Sequence, residues 1–252
     1  MTVNQSTDLW LPYRTPRTRA SVRLFCFPHA GGGASVYREL AKILPAAIDV
    51  CAVQLPGREG RLLESPVAQI TRLVPMLADG LAQHLVPPFA FFGHSMGALI
   101  AFELTHELLR RGKPIPMHLF ASACSAPQIP DQDETHKLDD DQLIEQLRAL
   151  GGTSEEVLAH RELMSMFIPV MRADAAISEC YVHQAQAPLP VPITAFCGLA
   201  DEKASRTHME AWQQHTTQTF AMAMVPGGHM FLLGAELDSV ATTVAQSLGV
   251  AR

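Results

Sequence analysis

One stretch of this chain constrains the rest: Phe89-Ala90-Phe91-Phe92-Gly93-His94-Ser95-Met96-Gly97-Ala98-Leu99-Ile100-Ala101. The apolar run 89–92 reads as a short buried strand. Residues 98–111 read as a helix whose apolar stripe is Leu99, Phe102, Leu104, Leu108 and Leu109. The chain must therefore turn from strand to helix within a few residues. Gly93 and Gly97 permit that turn, because a Cβ at either position would strike neighbouring backbone. Ser95 is left at the apex, its hydroxyl raised from the sheet edge at the start of the helix.

The totals leave room for such a turn inside one domain. The chain has 252 residues, 48% hydrophobic and 17% charged, enough for a single α/β domain with a sizeable core and an insertion. A net charge of −6 argues against a nucleic-acid partner. No apolar window reaches the roughly 18 residues of a membrane span. Residues 1–19 are polar and lack the apolar core of a secretory signal. The five cysteines are scattered, four of them in apolar, strand-like surroundings and none in a Cys-x-x-Cys pair, as suits buried, reduced thiols in the cytoplasm. His208 and His215 sit in no metal-ligand spacing, and no metal or cofactor is expected.

Strands and helices alternate. Strands are predicted at 21–27, 49–55, 89–92, 117–123, 191–198 and 220–225. Helices are predicted at 35–44 (stopped by Pro45), 70–85 (Pro75 near its start), 98–111, 205–215 and 235–248. This order implies a mostly parallel sheet covered on both faces. The pattern breaks at 125–188, where acidic segments such as Asp131-Gln132-Asp133-Glu134 and Asp139-Asp140-Asp141 alternate with short helical stripes. Leu143, Leu147 and Leu150 form one, stopped by Gly151-Gly152. Others lie at 157–160 and 163–171, the last broken by Pro169. An all-helical insertion of about 60 residues between two strands reads as a lid over a site. Met164, Met166, Phe167 and Met171 are candidates to line an acyl pocket beneath it.

A serine hydroxyl needs an imidazole to take its proton, and the imidazole needs a carboxylate to fix its tautomer. In α/β-hydrolases these arrive in the order Ser, Asp, His, at carboxyl ends of strands. After Ser95, Asp201 follows the strand at 191–198 and His229 follows the strand at 220–225. Asp174, in the inserted region, and Asp238, beyond His229 and inside a helix, are rival acids in the wrong places. A tetrahedral intermediate also needs hydrogen-bond donors for its oxyanion. The backbone N–H of Met96 is one candidate. The N–H of Ala30, in the glycine-rich loop Pro28-His29-Ala30-Gly31-Gly32-Gly33 after the first strand, is the other.

With these residues assembled, the chain resembles the type II thioesterases of polyketide and non-ribosomal peptide assembly lines, which are similar to medium-chain fatty-acyl thioesterases. The resemblance is carried by Phe27-Pro28-His29-Ala30-Gly31-Gly32, Leu55-Pro56-Gly57-Arg58-Glu59, Phe92-Gly93-His94-Ser95-Met96-Gly97-Ala98, Met171-Arg172-Ala173-Asp174, Gly198-Leu199-Ala200-Asp201 and Gly227-Gly228-His229-Met230-Phe231. Ala175 and Met230 stand where the family more often has aromatic residues, which leaves the acyl preference open. The resemblance implies a single α/β-hydrolase domain over 1–252, with the lid at 125–188. It implies action on acyl thioesters of the phosphopantetheine arm of acyl or peptidyl carrier proteins, editing out aberrant groups; a monomer is expected. Carrier proteins are usually acidic, so Arg14, Arg17, Arg19, Arg58 and Arg61 are candidates for a basic docking rim. The competing readings are a medium-chain acyl-carrier thioesterase, an acyltransferase or carboxylesterase of the same fold, and a non-catalytic binding protein.

Overall fold

The structure, a computed structural model, describes residues 8–14, 17–150 and 153–251. Its centre is a sheet of six strands: β1 (Val22–Phe27), β2 (Ile48–Ala52), β3 (Phe89–His94), β4 (Leu119–Ser122), β5 (Ile193–Gly198) and β6 (Phe220–Val225). Their spatial order is β2-β1-β3-β4-β5-β6, and all neighbours run parallel. The inner strands are continuous apolar runs because helices cover both faces. Alternation divides their side chains. Phe25, Phe27, Phe89 and Phe91 enter one core, shared with α2 (Ile70–Gly80) and α3 (Met96–Arg110). Leu24, Cys26, Ala90 and Phe92 enter the other, shared with α1 (Arg38–Ile43) and α8 (Leu237–Ser247).

Between β4 and β5 lie α4 (Asp140–Leu150), α5 (Glu155–Leu158) and α6 (Arg161–Glu179), with their own apolar cluster that includes Leu143, Leu147, Leu158, Ile168 and Met171. Local side-chain caps start several of the helices. Asp139 and Gln142 exchange side-chain bonds with each other's N–H at 2.8 and 3.2 Å, a capping box that opens α4. Ser154 accepts from the N–H of Val157 at the start of α5, and Ser205 from that of His208 at the start of α7 (Arg206–Glu210). The expected stop at Gly151-Gly152 lies outside the described residues, as do 1–7 and 15–16 of the lead-in.

The structure differs from the sequence reading at several points. The helix expected at 35–44 opens as a 3-10 turn, Ala34–Tyr37, before α1; it ends as expected, with Leu44 extended ahead of Pro45. The helix expected over 70–85 closes at Gly80, where Trp10 packs so tightly that a Cβ would lie 2.1 Å from its indole nitrogen. Pro169 does not break α6. The carbonyl it leaves without a donor belongs to Ser165, an exposed residue, and the helix continues for ten further residues to Glu179. The cysteines are all free, but Cys180 at the end of α6 is exposed rather than buried.

The sheet order has one consequence for function. From β1 the chain steps outward to β2, then returns to β3 on the other side of β1. The loops after β1 and β3 thus leave neighbouring strand ends in opposite directions and open a crevice between them. The turn after β3 is as tight as its glycines suggested. A Cβ on Gly93 would lie 2.2 Å from the Gly97 carbonyl oxygen, and one on Gly97 would lie 2.1 Å from that of Phe27. Both obstacles are backbone, which has nowhere to go. Gly97→Ala is expected to cost at least about 3 kcal/mol of stability, read as a shift in the urea-unfolding midpoint.

Candidate active site

Ser95 occupies the apex with φ 53° and ψ −125°, a strained conformation held by the strand before it and the helix after it. Its own N–H donates to the Ser122 carbonyl at 2.7 Å, which fixes the turn against β4. Asp201 follows β5 and His229 follows β6, and backbone bonds join the two loops: Leu199 N–H to Val225 O at 2.8 Å, and Ala200 N–H to Gly227 O at 2.9 Å. The result is a continuous relay. His229 Nε2 lies 3.0 Å from Ser95 Oγ, and its Nδ1 lies 3.0 and 3.2 Å from the two Asp201 carboxylate oxygens. An ionised carboxylate only accepts, so Nδ1 carries the proton and Nε2 presents its lone pair to the serine hydroxyl.

Asp201 is suited to stay ionised. Burial alone would raise its pKa, but the His229 hydrogen bond and charge, with the N–H groups of Ala204 and Lys203, outweigh burial and hold it below the usual carboxylate range. The rival acids lie elsewhere. Asp174 is on α6 with both oxygens bonded to Arg58, and Asp238 lies in the first turn of α8.

The two backbone donors named from the sequence also sit at this crevice. Met96 begins α3, so its N–H is among those that a helix start leaves without an intrahelical acceptor. In the loop after β1, the Gly31 N–H donates to Asp174 and the Gly32 N–H to the His29 carbonyl, whereas the Ala30 N–H has no hydrogen-bond partner among the described residues. Ala30, Met96, Ser95 and His229 all line one cavity of about 1030 Å³.

The sequence reading passed over His94. It is fully buried, and its Nε2 donates to the His229 carbonyl at 3.0 Å while its Nδ1 accepts from the Ser122 hydroxyl at 2.9 Å. His94 thereby ties the backbone of His229 to β4. Burial first, then the neighbouring His29 and His229, push its pKa well down, so it remains neutral. The signal was available: strand alternation turns position 94 to the same face as Phe92, and an inward-facing imidazole must find partners.

The arginines read as a docking rim are mostly otherwise engaged. Arg58 is buried against Asp174. Arg61 is buried, pairs with Glu64 at 2.6 Å and stacks on the Trp10 ring at 4.1 Å. Arg14 pairs with Asp49 at 2.9 Å, and Arg17 donates to the carbonyls of Ala41, Leu44, Pro45 and Ile48. Of the five, only Arg19 is exposed.

The thioesterase domain model matches residues 22–248, nearly the whole chain and every element of the site. The chain belongs to the thioesterase family. The gramicidin S biosynthesis protein GrsT of Aneurinibacillus migulanus is 40% identical over 241 residues, covering 95% of this chain and 94% of GrsT. The structure of the RedJ thioesterase from the prodiginine pathway of Streptomyces coelicolor superposes with a TM-score of 0.86 at 39% identity, over 92% of this chain and 87% of RedJ. That of the type II thioesterase BorB, from the borrelidin biosynthetic cluster, does so with 0.88 at 36% identity, over 97% and 100%. The chain is thus a hydrolase acting on thioesters, with the α/β-hydrolase fold expected from the order of its motifs.

In this thioesterase the cavity wall is largely apolar. Met166, Phe167 and Met171 of α6 line it, as do Leu147 of α4 and Val157 of α5; Met164 instead packs inside the helical cluster. Ala175 and Met230, the two positions that depart from the family pattern, are both on the wall. His29 beside the serine is held neutral, its pKa lowered to about 4 by burial and by His229 and Arg58. Burial does the same, again to about 4, for His106, His118 and His215 in the core. Each has a folded pKa below its ordinary 6.5, so between those values the unfolded chain binds protons that the folded chain refuses. Their contribution is therefore complete above about pH 6.5 and is lost as pH falls toward about 4. Urea-unfolding midpoints measured across this range are expected to fall steadily on acidification, well before the carboxylates titrate.

Proposed function

We propose that this chain is a stand-alone type II thioesterase that removes aberrant acyl groups from the phosphopantetheine arms of acyl or peptidyl carrier proteins. One observation carries the reading: the Ser95–His229–Asp201 relay opens into a large apolar cavity roofed by α4–α6. At about 1030 Å³ the cavity stands at the upper end of small-molecule sites, room for an acyl chain and the end of the arm that delivers it. The helical segment 125–188 acts as a lid within a single α/β-hydrolase domain.

Catalysis proceeds through an acyl-enzyme. Ser95 Oγ attacks the thioester carbonyl while its proton passes to His229 Nε2. The carbonyl oxygen becomes an oxyanion, held by the N–H groups of Ala30 and Met96. The C–S bond breaks, and the departing sulfur takes the proton from His229. A water then attacks the acyl-enzyme, giving its proton to the same nitrogen, and Ser95 leaves with it. Asp201 orients the imidazole and stabilises its cation in both halves. The enzyme needs no cofactor of its own. We place it in the cytoplasm as a monomer. Its five cysteines are all free, which suits a reducing compartment, and among the described residues no helix is long and apolar enough to cross a membrane.

Intact-mass analysis of carrier proteins loaded with a panel of acyl groups tests the proposal. Wild-type enzyme is expected to release the acyl groups as free acids. Ser95→Ala is expected to slow release by at least about 10⁴-fold. Asp201→Asn, which favours the wrong tautomer of His229, should lose about 10⁴-fold in kcat. Release that survives in Ser95→Ala would sink the serine mechanism, and transfer of the acyl group to another acceptor would reassign the enzyme as an acyltransferase.

A further inference from the structure

Arg58 and Asp174 form a buried, bidentate ion pair 116 residues apart in sequence, outside the serine relay. Nη1 meets Oδ2 at 2.6 Å and Nη2 meets Oδ1 at 2.8 Å, with side chains 6% and 1% exposed. Such a pair is expensive to desolvate, and apolar residues of similar volume often serve stability as well or better. Its other bonds show what it holds. Asp174 Oδ2 accepts the Gly31 N–H at 2.8 Å, and Arg58 Nη1 donates to the Gly32 carbonyl at 3.2 Å. Arg58 Nε is anchored on the Pro56 carbonyl at 3.3 Å. The pair thus grips the Ala30–Gly31 and Gly32–Gly33 peptides, from α6 on one side and the loop after β2 on the other.

The grip is close. Gly31 has φ +76°, and a Cβ there would lie 2.2 Å from Met171 Sδ and 2.7 Å from Phe167 Cζ. Phe167, Met171 and Asp174 stand at helical spacings of four and three, on one face of α6. That face is both a wall of the cavity and the anchor of the loop. Among the N–H groups of residues 30–32, the pair and the loop's own turn occupy those of Gly31 and Gly32, and Ala30's is left for the substrate.

We propose that Asp174, oriented by Arg58, is a positioning residue that sets the Ala30 N–H for the oxyanion and makes that setting depend on how α6 is seated. The inference rests on the reading of Ala30 as an oxyanion donor. It predicts a defect confined to the tetrahedral state.

The test compares wild type, Arg58→Lys, Asp174→Asn and the double variant Arg58→Met/Asp174→Leu, which removes both charges together. Three quantities are measured: kcat and KM for a soluble acyl thioester, Ki for an alkylboronic acid that forms a tetrahedral adduct with Ser95, and Kd for a thioether analogue lacking the carbonyl. The double variant is expected to fold, with kcat lowered roughly 10- to 100-fold and boronate Ki raised by a similar factor. KM and the thioether Kd should stay within about twofold, because the ground state does not use the hole. Asp174→Asn should show the same split, and Arg58→Lys, which keeps the carboxylate on Gly31, should stay within about fivefold of wild type in kcat. Unchanged kcat and Ki in a folded Asp174 variant would overturn the proposal. So would a rise in KM and thioether Kd at constant kcat, which would mark the pair as no more than a seat for the lid. Failure of both Asp174 variants to fold would likewise assign the pair to structure alone. A wild-type enzyme that binds the boronate at Ser95 but releases no acyl group would instead overturn the functional reading, leaving the boronate-to-thioether comparison interpretable.

Discussion

The structure turns on a contact without side chains: the start of α3 lies directly on the end of β1, with Gly97 against the Phe27 carbonyl. No residue but glycine permits this approach. Because β1 and β3 are neighbours at the point where the strand order reverses, the contact brings the serine turn beside the loop that leaves β1. Ser95, the N–H of Met96 and the loop carrying Ala30 are then close by construction. The strained backbone of Ser95 is tolerated because this packing and the bond to the Ser122 carbonyl over-determine it.

Around this turn the charges are distributed economically. His29 and His94 pack edge to face at 5.9 Å, and His94 lies 5.7 Å from His229, yet burial keeps the first two neutral. Two imidazolium neighbours would oppose the cation that must form on a catalytic His229; two neutral rings do not. The negative charge that favours that cation is Asp201, kept ionised by three donors. Asp174, a further buried carboxylate beside the loop after β1, has its charge countered by Arg58.

The strands, the serine turn and the two loops that complete the relay were legible from the sequence because each is encoded locally, by apolar runs, glycines and chain order. What escaped was non-local or depended on which face meets water. Arg58 and Arg61 look like surface charges beside Gly57 and Gly60, and nothing nearby says that Asp174 and Trp10 will cover them. Pro169 reads as a helix breaker until Ser165, four residues earlier, is seen to face solvent. His94 hides inside a motif whose middle positions are usually written as any residue, although strand alternation alone turns it inward. Three of the four residues expected to line an acyl pocket line the cavity, while Met164 faces the neighbouring helices instead.

The helical segment between β4 and β5 is more than a cover. An apolar pair at 58 and 174 would fill the same space, but it would offer no acceptor to the Gly31 N–H, and an unsatisfied buried N–H costs about 1–3 kcal/mol. That cost gives the loop a preference for the one arrangement in which Asp174 meets it. Since Asp174 shares a helix face with Phe167 and Met171, the same arrangement defines the wall an acyl chain would touch. The shape of the pocket and the placement of the loop are therefore not independent variables in this fold. A side chain on α6 that reshapes the wall also acts, through one turn of helix, on the backbone beside the serine.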